Sequence, residues 1–250
     1  MRKTYLISGA GSGIGMAMAQ EIASDGSRIV MLGRKRESLE RARATLAGNG
    51  HLFLTADISS VQSLRTAAEE LKGIVLNGLI ANAGVGGENM RGEGDRWDEI
   101  IDTNLSGTYH FINAFLPLLQ PGEENYAHII LVSSVLARLG VPHYTAYCAS
   151  KAGLLGMMRS LAVELAPKKI LVNAICPGWV DTDMARSGME AQSHRLNISR
   201  EAFYDMAMEA VPLSKMSKPD EIGQLCVYLL KQTSLTGQTI DINNGAVMNS

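Results

Sequence analysis

Cysteine is scarce and scattered. The three in 250 residues, Cys148, Cys176 and Cys226, are odd in number and widely spaced. That excludes a disulfide framework, and no CxxC or Cys/His cluster of the zinc-binding kind is present. A reducing, cytoplasmic setting suits such a chain. An excess of charge is also missing: 23 Lys and Arg face 25 Asp and Glu, a formal net charge of −2. Nucleic-acid binders usually carry a strong basic excess, so that class is disfavoured. No window offers the roughly 18 consecutive apolar residues of a membrane helix. The apolar run behind the N-terminal charges, Tyr5–Ile7, is too short for the core of a secretory signal. Linkers, repeats and low-complexity tracts are absent too. What remains is 46% apolar and 19% charged, ordinary for a globular protein and too apolar for a disordered one.

Against these absences stands a regular alternation. Short apolar or β-branched runs occur at Thr4–Ile7, Arg28–Leu32, His51–Thr55, Gly78–Ala81, Ala127–Val132, Ile170–Ile175 and Thr239–Ile242. Between them lie stretches with helical spacing: Ile14–Ala23, Arg36–Leu46, Val61–Leu71, Trp97–Leu119, Tyr147–Leu165 and Pro219–Leu230. The strand runs are mostly continuous rather than alternating, as when helices cover both faces of a sheet. The pattern predicts an α/β fold: one Rossmann-type, doubly wound domain over 1–250, with a seven-stranded parallel sheet flanked by helices. One stretch breaks the rhythm. Asp183–Leu213, before the last helix, is long, Met-rich and not clearly periodic, and reads as a substrate lid.

The first strand run leads into Ser8-Gly9-Ala10-Gly11-Ser12-Gly13-Ile14-Gly15 and then a helix. No Gly-Lys-Ser/Thr follows, which removes a nucleoside-triphosphate loop. The glycines let the backbone turn sharply and approach a pyrophosphate seated on the helix N-terminus. A tight strand–helix turn is the alternative.

Ser8-Gly9-x-x-x-Gly13-x-Gly15 resembles the opening motif of the classical short-chain dehydrogenases/reductases, and three further motifs extend the resemblance in the family's order. Ala81-Asn82-Ala83-Gly84 resembles the family's N-N-A-G, with alanine in place of the first asparagine. Tyr147-Cys148-Ala149-Ser150-Lys151 matches Y-x-x-x-K, and Pro177-Gly178-Trp179-Val180-Asp181-Thr182 matches P-G-x-x-x-T. Seven tyrosines and nine lysines in this length give about 0.25 chance matches to Y-x-x-x-K. The motif is therefore weak alone and gains force from its company.

The i, i+4 spacing stacks Tyr147 and Lys151 on one helical face. A nearby ammonium is expected to lower the phenol pKa towards neutrality, so that Tyr147 can exchange a proton with an alcohol or carbonyl oxygen. The resemblance implies the rest of the catalytic group. Ser134, thirteen residues before Tyr147, would donate to the substrate oxygen, with the adjacent Ser133 as the alternative. Asn104, in a helical stretch, would hold a water that links Lys151 to solvent, or simply face solvent. Hydride would pass between a nicotinamide and a carbinol carbon, without a metal. Gly9, Ser12, Gly13, Ile14, Gly15, Asp57, Asn82, Ala83, Gly84, Pro177, Gly178, Val180 and Thr182 would line the cofactor, with Tyr147 and Lys151 touching it; Asp57 is alternatively a helix cap.

NAD-preferring dinucleotide folds carry an acid about 20 residues beyond the glycine loop. Here Gly33 stands there and Arg34 follows, a guanidinium for a 2′-phosphate. The expectation is NADP, with NAD the alternative, since Ser12 occupies a loop position often basic in NADP-preferring relatives. His143, Tyr144, Met184 and Met189 are the candidate substrate contacts. Arg186, His194, Arg195 and Arg200 are candidates for the phosphates of an acyl carrier, or surface charge.

The expected activity is reduction of a carbonyl or oxidation of a secondary alcohol, with a 3-oxoacyl thioester as one substrate class. The alternatives are an NAD-dependent alcohol or hydroxyacyl dehydrogenase and a non-catalytic dinucleotide-binding regulator. A homotetramer is implied by the resemblance, and the broad apolar arc of Tyr147–Leu165 fits a helical interface. The partner is thus a small molecule, with no nucleic acid and no membrane.

Overall fold

A computed structural model describes residues 2–122 and 126–248. Seven strands form one parallel sheet: β1 (Thr4–Ser8), β2 (Arg28–Gly33), β3 (Leu52–Thr55), β4 (Gly78–Ala81), β5 (Ala127–Val132), β6 (Ile170–Pro177) and β7 (Thr239–Ile242). Their order across the sheet is β3-β2-β1-β4-β5-β6-β7. All seven coincide with the expected runs to within two residues. Leu6 pairs in register with Val30 on one side and Leu79 on the other. The order reverses between β1 and β4, the switch point where such sheets open a crevice at their carboxyl ends.

The five inner strands, β1, β2, β4, β5 and β6, bury both faces. Leu6, Val30, Leu32, Ile129 and Leu131 point into one core with Phe111, Phe115, Leu154, Met158 and Leu165. Tyr5, Ile7, Ile29, Met31 and Ile130 point into a second core with Met18, Ile22, Ile222 and Leu229. The first core lies under α3 (Val61–Glu70), α5 (Gly107–Phe115) and α6 (Thr145–Leu165); the second lies under α1 (Gly13–Ser24), α2 (Arg36–Ala44) and α9 (Pro219–Leu229). This double burial is why the strand sequences do not alternate.

Two expectations need correction. The stretch Trp97–Leu119 is not one helix. It runs as α4 (Trp97–Ile101), a π-helical turn (Asp102–Ser106), α5 and a 3₁₀ turn (Leu116–Leu118). Nor is 183–213 irregular: it folds as α7 (Asp183–Leu196) and α8 (Arg200–Glu209). Thr182 caps α7 and Ser199 caps α8, while Asn197 breaks the pair in a left-handed conformation at φ +53°. A small core of Met189, Phe203, Met208 and Val211 holds them. So few apolar residues serve two helices that no stripe shows in the sequence. The apolar arc of α6 is also mostly absorbed within the chain: Leu154, Leu155, Met158, Leu161, Ala162 and Leu165 are buried, leaving Val163 exposed. Among the described residues, no helix is long and apolar enough to cross a membrane.

Candidate active site

The site is assembled at the switch point by a hub of short polar bonds. The Ser8 hydroxyl, at the end of β1, accepts from the backbone N–H of Asn82 and of Ala83, both at 3.0 Å. Asn82 Nδ2 donates back to the Ser8 carbonyl at 3.0 Å. Asn82 thus ties the loop after β4 to the glycine loop. Gly9 takes φ +68°, and a Cβ there would lie 2.9 Å from the Ala83 Cα. At Gly15 a Cβ would meet the Gly9 carbonyl oxygen at 2.3 Å. Only glycine lets these three segments close up.

The N-terminus of α1 offers its first N–H groups bare. Ser12 is extended and makes no side-chain cap, and no acid stands in the first turn. Uncapped N–H groups and the dipole favour an anion at Gly13, Ile14 and Gly15. Thr182 closes the cradle from the other side: a Cβ at Gly13 would sit 3.4 Å from its Cγ2. Pro177 ends β6, Gly178 packs on Asn243 and Val180 is buried. Arg34 lies exposed just past β2. Asp57 does not cap the next helix, a job done by Ser60; its carboxylate accepts instead from the N–H and hydroxyl of Ser59 at 3.0 and 2.8 Å. The uncapped helix, the closed-up glycines and the cation beyond β2 fit a dinucleotide with a pyrophosphate.

Beside this cradle lie the four residues of the proposed catalytic group. Tyr147 is the third residue of α6, and Ser134 lies close enough to its phenol to bear on its proton. Lys151 Nζ sits 5.6 Å from the centre of the Tyr147 ring and donates to the Val132 carbonyl at 3.0 Å. The two serines part company in role. Ser133 Oγ donates to the backbone carbonyl of Lys151 at 2.8 Å, whereas Ser134 Oγ accepts from Leu136 N–H and meets the phenol.

Asn104 does not face solvent. It is wholly buried in the π-helical turn. Its carboxamide accepts from Val85 N–H at 2.8 Å and donates to Val85 O at 2.9 Å and to Ser150 Oγ at 3.3 Å. The π-turn's disturbed ladder is served by Thr108, whose hydroxyl donates to the Asn104 carbonyl at 2.8 Å.

The electrostatics run opposite to one expectation. Burial pushes the Tyr147 phenol up to about 12, with the Ser134 hydrogen bond opposing the rise. Lys151 does not pull it towards neutrality, and burial drives the ammonium itself down to about 8. Desolvation outweighs the pair attraction at 5.6 Å. The phenol is therefore a protonated donor at neutral pH, beside a lysine that titrates just above it.

The four substrate candidates separate. Met184 Sδ would lie 3.2 Å from a Cβ at Gly86, which would itself be 4.0 Å from the Tyr147 ring. Met184 and the Tyr147 ring thus both border Gly86, in the loop after β4. Tyr144 sits edge-on to Tyr147, ring centres 6.3 Å apart. Met189 is sequestered in the α7–α8 core, and the His143 side chain is exposed at φ +67°. Most of the candidate phosphate cations are already engaged: Arg186 with Asp181, His194 with Glu190 and Arg195 with Glu88. Arg200 contacts Glu201 at only 3.9 Å.

Several residues at the site carry no local sequence signal. Gln192 on α7 donates to Glu88 and, at 3.4 Å, to the Tyr144 hydroxyl. Arg96 Nη1 donates to Gly86 O at 3.1 Å and forks onto Glu99. Asn89 reaches the first turn of α6 from 57 residues away. Sequence spacing says nothing of such distant partners; only the folded loop after β4 reveals them. Among the described residues, no group of three or more His, Cys, Asp or Glu is placed to hold a metal ion.

A nucleotide cradle at the switch point with a Ser/Tyr/Lys cluster beside it is the arrangement of a nicotinamide-dependent oxidoreductase. The family model described as enoyl-(acyl carrier protein) reductase matches residues 9–247, and the chain belongs to the classical short-chain dehydrogenase/reductase family. It is 32% identical to the 3-oxoacyl-(acyl-carrier-protein) reductase FabG of Pseudomonas aeruginosa, covering 98% of each chain. Among solved structures it is similar to a variant of actinorhodin polyketide ketoreductase with NADPH, at TM-score 0.88 and 30% identity, covering 98% of this chain and 97% of that one. A 3-ketoacyl-(acyl-carrier-protein) reductase of Brucella melitensis complexed with NADH gives 0.85 and 27%, covering 98% of each chain.

Proposed function

We propose that the chain is an NADP(H)-dependent reductase of carbonyl compounds, with 3-oxoacyl thioesters as its substrate class. The observation that carries this reading is the grouping of Tyr147, Ser134 and Lys151, with Lys151 Nζ 5.6 Å from the centre of the Tyr147 ring. When bound, the dinucleotide supplies or accepts the hydride at nicotinamide C4. Ser134 Oγ donates a hydrogen bond to the substrate oxygen and Tyr147 gives that oxygen its proton. As negative charge grows on the oxygen, transfer from a phenol becomes downhill. The phenolate left behind is countered by the Lys151 ammonium, and Asn104 fixes the loop at Val85 that adjoins the phenol. By name, FabG reduces a 3-oxoacyl-(acyl-carrier-protein) and the actinorhodin enzyme is a polyketide ketoreductase, which supports the substrate class.

Arg34, exposed and with no acid at position 33, supports NADP(H). NAD(H) is the second reading. Its support is Ser12, at a glycine-loop position where NADP-preferring relatives often carry a basic residue. The helices α7 and α8 are read as a substrate lid, since Met184, at the start of α7, borders Gly86 as the Tyr147 ring does. A cytoplasmic homotetramer completes the reading, supported by the family resemblance and by Tyr109 on α5 and Val163 on α6, which stand exposed.

The test follows oxidation of NADPH and NADH against ketones, 3-oxo esters, 3-oxoacyl thioesters and quinones. The reading expects the thioester with NADPH to give the highest kcat/KM. Tyr147→Phe should lower turnover at least about 10²-fold while leaving cofactor affinity within a few-fold. Near-normal turnover in the purified variant would overturn the mechanism.

A further inference from the structure

The helix that carries Tyr147 and Lys151 starts without a cap of its own. Its N-cap position is Tyr144, which makes no side-chain cap bond, and no acid stands in its first turn. Such a start would leave N–H groups unsatisfied and the first turn free to fray. Tyr147 lies in that turn. The missing cap is delivered from another part of the chain. Asn89 Oδ1 accepts from Ala146 N–H at 2.9 Å and from the Thr145 hydroxyl at 3.0 Å. The Asn89 backbone N–H donates to the His143 carbonyl at 2.7 Å, where the chain turns into α6 at a positive φ. Asn89 is 5% exposed, so water does not serve these groups in its place.

The other end of the same carboxamide reaches a second helix. Asn89 Nδ2 donates to Asp95 Oδ1 at 3.1 Å, and that oxygen also accepts from Trp97 N–H at 3.0 Å, at the start of α4. The helix α4 runs directly into the π-helical turn that holds Asn104. One side chain therefore clamps the starts of both helices bearing the proposed catalytic residues. Deeper in the site the two are joined again by Asn104 Nδ2 to Ser150 Oγ at 3.3 Å. Ser133 Oγ and the Val132 carbonyl hold α6 at Lys151, one turn on. The first turn, which carries Tyr147, takes its outer restraint from Asn89.

We infer that Asn89 is a positioning residue for the reaction: its carboxamide, shared between α6 and Asp95, sets the placement of Tyr147 against Ser134 and Asn104. This rests on the reductase reading above. Asn89 touches neither Tyr147 nor Ser134, so its effect falls on the rate of the proton-transfer step rather than on cofactor capture. Polarity matters as well as shape. The α6 side needs an acceptor, the Asp95 side needs a donor, and Trp97 N–H needs an acceptor at position 95.

The experiment compares the wild type with Asn89→Ala, Asn89→Asp, Asp95→Asn and the exchange Asn89→Asp/Asp95→Asn, using NADPH and the N-acetylcysteamine thioester of 3-oxobutyrate. Asn89→Ala is expected to lower kcat about 10- to 100-fold with the KM for NADPH within about twofold. Asn89→Asp keeps the acceptor for α6 but sets carboxylate against carboxylate, and should fall similarly. The exchange restores one acceptor towards α6 and, after rotation of the amide at position 95, both a donor between the pair and an acceptor for Trp97. It should recover most of the lost kcat.

Melting temperatures are measured for each variant, and kcat is read well below them, so that unfolding does not masquerade as lost positioning. Wild-type kcat in folded Asn89→Ala overturns the proposal. So does an exchange variant that does not fold or is no faster than its two parents; should Asn89→Ala itself not fold, these comparisons decide. A wild type that binds NADPH but reduces nothing refutes the reductase reading instead, a result distinct from any of these.

Discussion

Replacing Lys151 by methionine should make the protein more stable and inactive at once. Burial drives the ammonium from its ordinary 10.5 to about 8. Each pKa unit corresponds to about 1.4 kcal/mol, so holding the charge in the folded state costs about 3 kcal/mol at neutral pH. Methionine has similar length and no charge. It forfeits the hydrogen bond from Nζ to Val132 O at 3.0 Å, a loss of about 1–2 kcal/mol. The net expectation is a gain of about 1–2 kcal/mol, or a melting temperature higher by about 2–8 °C for a chain of this size.

The pH dependence is set by the direction of the shift. The unfolded lysine holds its proton more tightly than the folded one. Between pH 8 and 10.5 the wild type therefore gains stability as pH rises, while the variant lacks this contribution. The advantage of Lys151→Met is full below pH 8 and fades towards pH 10.5. Thermal unfolding of both proteins without cofactor, at half-unit steps from pH 6.5 to 9.5, measures it. A variant less stable than the wild type at pH 6.5, or a difference flat across the range, would refute the reasoning. Turnover of the same variant should be lost, since the phenolate of Tyr147 loses its counter-charge.

Arg34→Ala should narrow the preference for NADPH over NADH by roughly tenfold to a hundredfold in kcat/KM, the worth of one charged hydrogen-bonded pair; an unchanged ratio would remove Arg34 from 2′-phosphate recognition. Gly15→Ala places a methyl 2.3 Å from the Gly9 carbonyl oxygen, so it should abolish measurable NADPH binding by fluorescence titration or prevent folding, and a folded variant that binds normally would contradict the cradle. Cofactor with substrate should protect α7 and α8 from amide hydrogen exchange, whereas protection confined to the glycine loop would make these helices fixed covering rather than a lid. Light scattering at micromolar concentration should give a homotetramer, and a monomer would remove that part of the proposed function.

Much of the fold was legible because doubly covered strands write their burial directly into composition. Ile29-Val30-Met31-Leu32 has no polar residue to spare, as both neighbouring layers are helical. The helices α7 and α8 were illegible for the opposite reason: α7 buries only Met189 among its large apolar residues, so no periodic stripe was available. The π-helical turn was hidden because Trp97–Leu119 keeps a helical average while one turn adds a residue. At the site, the spacing of Tyr147 and Lys151 was readable as a face of a helix. Its electrostatics were not, because burial is a property of the packed surroundings and here overturns the expected sign. Asn89 was invisible for want of any local pattern, its partners standing at Asp95 and, 57 residues on, at Ala146.

The five-residue turn Asp102–Ser106 has a consequence for how this chain tolerates changes in length. An α-helix closes a turn in 3.6 residues, so each added or removed residue rotates the remainder of the helix by about 100°. Removing one residue from this turn would restore a regular ladder and let α4 run into α5 as one helix, with Phe111, Ile112 and Phe115 still anchored in the core. The residue to swing away would be Asn104, and with it the grip on Val85 and Ser150. A single-codon deletion here should therefore be an unusual lesion: one that smooths the backbone and leaves a folded protein, yet silences it. Insertions and deletions at the neighbouring turns of the same helix should behave in the ordinary way and unfold it.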